Sequence, residues 1–176
     1  MKIFKETQRF DQWWLIMIEV IVLLVVIISF IKDYRNNLDN DLTGMILVGS
    51  MIVLVFGLVH FIRLETVIDE NGISYRFFPI LSKPRKILWS ELTKCFVRKY
   101  SAISEYGGWG IRGIVRKGTF DFRGKGRAFN IKGNMGIQLE YLDGGKLLIG
   151  TQQPENAKRA IEYYSDKINS NSLRDY

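Results

Sequence analysis

The chain has 176 residues, 47% of them hydrophobic, and a formal net charge of +7. That length holds one ordinary domain, or a membrane anchor plus a modest domain. One cysteine (Cys95) and one histidine (His60) exclude an intrachain disulfide and any metal site built mainly from His and Cys. No carboxylate motif suggests a metal, and no cofactor is expected.

Charge is unevenly spread. Residues 1–62 carry five Lys/Arg and six Asp/Glu, whereas residues 63–176 carry twenty against twelve. A portion that basic suits anionic lipid headgroups, acidic protein surfaces or nucleic acid. It equally suits the positive-inside bias of a cytoplasmic domain.

Lys2, Lys5 and Arg9 lead into an apolar run, Trp13–Ile31, with Glu19 its one charge. The run is too long for a signal-peptide core, and Ser29-Phe-Ile-Lys offers no small-x-small cleavage site, so a retained helix is expected. Trp13, Trp14 and Tyr34 suit interfacial anchoring. The polar stretch 32–41 follows, then a second apolar run, Leu42–Ile62, interrupted only by His60. At about 1.5 Å per residue each run spans a hydrocarbon core of about 30 Å. Two spans with so short a link form an antiparallel hairpin. Three basic residues precede the first span, two lie in the link, and Arg63, Arg76, Lys83, Arg85 and Lys86 follow the second. The bias puts both termini in the cytoplasm of a multi-pass inner-membrane protein.

Glu19 and His60 are the polar residues inside the spans and lie at similar depth in such a hairpin. They point either to proton or ion handling or to a buried carboxylate neutralised by protonation, by His60 or by Arg63. Gly49, Ser50, Val53, Gly57 and His60 recur at helical spacing, predicting one face where the helices approach closely.

From residue 63 the periodicity turns to β. Strands are predicted over 64–69 and 73–78 around the turn Glu70-Asn-Gly72, then over 86–89 and 94–100 with a Ser90-Glu-Leu corner. After a glycine-dense stretch, 107–113, come strands over 128–132, 136–142 and 146–150, the last two joined by Asp143-Gly-Gly145. A helix is predicted over 154–168, opened by Pro154 and Glu155, with Ala157, Ala160, Ile161, Tyr164 and Ile168 as its apolar stripe. Residues 169–176 read as a flexible tail. Trp89, Phe96 and Leu139 are candidate core.

About seven strands and a closing amphipathic helix follow the hairpin. The strings Ile68-Asp-Glu-Asn-Gly-Ile73, Ile87-Leu-Trp-Ser-Glu-Leu92, Tyr106-Gly-Gly-Trp-Gly-Ile-Arg112, Gly133-Asn-Met-Gly-Ile137 and Ile149-Gly-Thr-Gln-Gln-Pro-Glu155 resemble those of bacterial membrane-anchored PH-like (pleckstrin-homology-like) domain proteins. The resemblance covers about residues 63–168. It implies a mainly-β PH-like barrel plugged by the C-terminal helix and held at a membrane, and it brings no reaction with it. The expected organisation is a membrane anchor over 1–62 and a PH-like domain over 63–168.

Gly107-Gly-Trp-Gly-Ile-Arg112 lacks the spacing of a phosphate-binding loop, and no helix is predicted after it. It reads as a tight loop carrying Trp109 across the barrel, or as an exposed recognition corner pairing Trp109 with Arg112. Residues 112–132 hold Arg112, Arg116, Lys117, Arg123, Lys125, Arg127 and Lys132 against Asp121 alone, with Phe120, Phe122 and Phe129 interleaved. This is either a patch for anionic lipid or a solvated strand–loop–strand whose aromatics face the core. No nucleophile, acid–base pair or nucleic-acid reader motif emerges. The expected function is non-enzymatic: a cytoplasmic domain that binds a protein partner or anionic lipid at the bilayer. The alternative is an accessory or small transport subunit using Glu19 and His60.

Overall fold

The computed structural model describes residues 3–35, 42–113 and 126–169. They fall into two compact units: Phe10–Ile62, and the N-terminal stretch up to Arg9 together with Arg63 onward.

The first unit is helical, with α1 (Trp13–Arg35) and α2 (Leu42–Phe61). Trp13–Lys32 within α1 is long and apolar enough to cross a membrane, and none of it is buried within the protein. Most of its large apolar side chains are exposed, among them Ile21, Val25 and Ile28. In α2 the apolar stretch among the described residues, Ile46–Phe61, is shorter. One clear span is therefore found where two were expected. The helices meet along Leu15, Glu19, Val22, Leu23 and Val26 of α1 and Gly49, Ile52, Phe56 and Val59 of α2, the half-buried positions of each. This corrects the expected small-residue face. Ser50, Val53 and Gly57 lie one step round the helix, and a Cβ added at Gly49 or Gly57 would touch nothing.

Among the described residues the second unit holds nine strands: β1 (Phe4–Arg9), β2 (Arg63–Asp69), β3 (Gly72–Phe78), β4 (Arg85–Leu88), β5 (Leu92–Lys99), β6 (Gly110–Arg112), β7 (Arg127–Asn130), β8 (Met135–Tyr141) and β9 (Lys146–Gly150). They form two sheets, ordered β1-β2-β3-β4 and β5-β8-β9-β7-β6. The expected closed barrel is not formed, because no ladder joins the two sheets among the described residues. A single 3-10 turn, Trp89–Glu91, carries the chain from β4 into β5, and side chains seal what backbone pairing does not. The β7–β9 pair is parallel, so β9 separates β7 from β8.

Turn chemistry explains the hairpins. Asp69 Oδ1 accepts from the backbone N–H groups of Asn71 and Gly72 at 2.8 and 3.1 Å. Gly72 has φ +151°, and a Cβ there would drive into the Ile87 carbonyl of the neighbouring strand. Asp143 Oδ1 likewise accepts from Gly145 N at 2.8 Å. Tyr75 and Phe77 of β3 meet Phe129 of β7 at 4.8 and 6.2 Å between ring centroids, joining the sheets across the core. Phe129 is thus a core residue and offers nothing to an interface. Trp89 and Leu139 are buried as expected; Phe96 is not, because it lies on edge strand β5 and is 39% exposed.

The C-terminal helix is two pieces, α4 (Pro154–Tyr163) and α5 (Ser165–Asn169), after a short α3 (Ala102–Tyr106) earlier in the chain. The break falls at Tyr164, whose ring stacks on Trp89 at 5.8 Å. Ala157, Ala160, Ile161 and Tyr164 are buried.

β1 is the element least visible in the sequence. Its inward residues are Phe4, Glu6 and Gln8, and it pairs with β2 from Phe4↔Ile68 to Arg9↔Arg63. The division at residue 62 is thereby revised: the β unit begins before α1, and both helices are inserted between two paired strands.

Candidate functional site

Within the helical unit, His60 Nε2 lies 3.0 Å from Glu19 Oε2, within hydrogen-bond distance. The Glu19 side chain is 13% exposed and His60 43%. Glu19 Oε1 has no hydrogen-bond partner among the described residues. The pair anticipated from depth is formed, with a carboxylate oxygen left open to one further donor.

The aromatic–basic corner is built by the loop after α3. Ser101 Oγ accepts from Ser104 N at the start of α3, and Gly107, φ +73°, terminates it. Strand β6 follows, not a helix, so no helix N-terminus faces the glycines. Arg112 Nε donates to the Trp109 carbonyl at 3.1 Å, and Trp109 is 37% exposed. Trp109 therefore sits at the surface edge, not across the core. Arg112 pairs with Ala128 and shares its face, whereas the exposed Arg127, the neighbouring residue of β7, projects from the opposite face. Lys132 lies beyond the opposite end of β7, where its carbonyl accepts from Gln152 Nε2 at 2.7 Å. The structure thus joins Trp109 and Arg112 and sets Arg127 and Lys132 apart from them. Arg116, Lys117, Arg123 and Lys125 lie outside the described residues, as do Phe120 and Phe122.

Sequence reasoning missed three polar arrangements. In the first, Glu6, 4% exposed, accepts from Thr151 Oγ1 and Gln152 N at 2.6 Å each, while Gln8 Nε2 donates to the Gly150 carbonyl at 2.6 Å. These bonds tie the edge of one sheet to the end of the other. In the second, Arg98 reaches Gln138 Oε1 at 2.9 Å, the Tyr106 hydroxyl at 3.1 Å and Glu105 at 2.9 Å, bracing α3 against β5 and β8. In the third, the outer face of the first sheet, Arg76 forks onto Glu65 with contacts of 2.7–3.0 Å. That hydrogen bonding, helped by the charges of Arg76, Arg63 and Lys5, holds the Glu65 carboxyl below the ordinary glutamate range.

Burial pushes the Cys95 thiol upward, away from the thiolate a nucleophile needs. Among the described residues no three His, Cys, Asp or Glu side chains converge as metal ligands. A groove of about 310 Å³ lies between β1 and α4, lined by Lys5, Gln153, Asn156 and Arg159 among others. No family model matches the chain, and no curated protein matches it in sequence.

Proposed function

We propose that this protein is a membrane-anchored, non-enzymatic binding module. In this reading α1 and α2 both cross the bilayer as a hairpin. A PH-like domain stands on the cytoplasmic side and binds a protein partner or anionic lipid. The observation that carries it is the β1–β2 ladder, six residue pairs long, which brackets the helices in the chain. Two strands cannot pair through a bilayer, so the number of crossings between Arg9 and Arg63 is even. A crossing by α1 therefore requires a second, and α2 is the one other apolar helix in that interval. At 20 residues α2 is about 30 Å long, a full hydrocarbon thickness. The cytoplasmic side is supported by the Lys/Arg bias flanking the helices, with Lys2, Lys5, Arg9, Arg63, Arg76, Lys83, Arg85 and Lys86 on one side and Lys32 and Arg35 on the other.

The binding surface in this reading is centred on Trp109 and Arg112. Cross-linking from a photoreactive residue at Trp109, in intact membranes, tests it. The expected result is a discrete adduct that Arg112→Glu abolishes; an adduct pattern indifferent to that reversal contradicts it.

A second reading, an accessory or small transport subunit, draws on the 3.0 Å Glu19–His60 contact and the open Glu19 Oε1. Two helices with one polar pair provide little lining for a path, which favours the anchor.

A further inference from the structure

The cross-strand register aligns Arg9 with Arg63, and Arg63 with Phe78. Residues directly opposite in antiparallel strands share a face, so these three form one row on the outer side of the sheet. The Arg63 guanidinium rests 4.9 Å from the centroid of the Phe78 ring. Arg9 is four residues before the start of α1, and Arg63 two after the end of α2. At about 3.5 Å per extended residue, that is about 14 and 7 Å of chain. The row is thus leashed to the helix ends within a length comparable to the headgroup layer and the Debye length.

From Phe78 the chain runs into the loop between β3 and β4, at this same end of the sheet. Ile80 there is 65% exposed, and Lys83, Arg85 and Lys86 are exposed. No acidic residue occurs between Glu70 and Glu91. The nearest carboxylate on the face, Glu65, is already held by Arg76 and Arg63. An exposed branched apolar side chain in a loop that also carries Lys83 and leads to Arg85 and Lys86 is the chemistry of an interfacial lipid contact.

We infer that the Arg9–Arg63–Phe78 row and the 79–84 loop form a second membrane contact, separate from the helices, that takes anionic phospholipid. Ile80 enters the boundary between headgroups and acyl chains, and Arg9, Arg63 and Lys83 meet lipid phosphates. The surface is distinct from the Trp109 corner and rests on the two-span reading.

The test uses the full chain with Cys95→Ala, carrying a nitroxide on Ile80→Cys, in nanodiscs of phosphatidylcholine alone or mixed with phosphatidylglycerol. Collision rates with oxygen and with a water-soluble nickel chelate report depth. In the anionic discs the label is expected to be shielded from nickel severalfold more than in the neutral discs. Arg9→Glu with Lys83→Glu, both exposed positions, is expected to return it to an aqueous ratio. A label at Ile80 that stays aqueous in anionic discs overturns the inference and leaves the loop to a protein partner. Labels at Val25 and Leu54 read the two-span reading independently. Lipid-like values at both, with an aqueous Ile80, overturn only the second contact; an aqueous value at either helix overturns both.

Discussion

Ile68, Ile73 and Leu139 in the β unit are wholly buried, whereas Ile28, Leu47 and Met51 in the helices are each more than 60% exposed. Carboxylates differ in the same way. Glu6, in the β unit, spends both oxygens on protein donors at 2.6 Å, while Glu19, between the helices, has one oxygen on His60 and one without a partner. The β unit thus buries its large apolar side chains against one another, whereas the helices leave theirs to be covered by something else. The boundary between these regimes falls at Arg9 and Arg63, adjacent residues of a β ladder.

That boundary can be cut. Because Arg9 and Arg63 are register partners, a short Asn-Gly turn in place of residues 10–62 should close a β-hairpin. The relinked chain is expected to be soluble and to unfold cooperatively. Residues 63–176 alone lack β1, including buried Phe4, Glu6 and Gln8. Loss of a core phenylalanine by itself costs about 3–5 kcal/mol, so this fragment is expected not to fold. Circular dichroism melts of the two fragments check the difference; equal stability would show that β1 is dispensable.

The two carboxylates sharpen the contrast at smaller scale. Glu6→Ala strands the Thr151 hydroxyl and the Gln152 amide, and should destabilise the relinked domain by about 3 kcal/mol in urea unfolding. Glu19→Gln keeps an oxygen able to accept from His60 and should shift the melting of the full chain in detergent by under about 1 kcal/mol. It should also leave proton and ion flux in proteoliposomes unchanged, whereas the transport reading requires that flux to fall.

The parts of the fold legible in the sequence were those with a local cause. Asp69-Glu-Asn-Gly72 and Asp143-Gly-Gly145 specify their own turns, and the flanking strands alternate as β-strands on a core do. β1 carries no such signal. Two of its three inward residues are Glu6 and Gln8, so Phe4–Arg9 has no apolar alternation and reads as a basic flank of the first helix. The break at Tyr164 was equally hidden, since no glycine or proline marks it in the sequence, and the ring it packs on belongs to Trp89, far away in the chain. At the site, the Glu19–His60 contact followed from depth alone. The Arg9–Arg63–Phe78 row did not, because it exists only once β1 is paired.

Sidedness tests the central claim most directly. Single cysteines at Thr7, Asn37 and Leu142, in a Cys95→Ala background, would be exposed to a membrane-impermeant maleimide in intact cells and again after permeabilisation. The two-span account predicts that Asn37→Cys reacts in intact cells, and that Thr7→Cys and Leu142→Cys react only once the membrane is opened. Labelling of Thr7→Cys and Leu142→Cys from opposite sides, or of Asn37→Cys from the same side as Leu142→Cys, would contradict it.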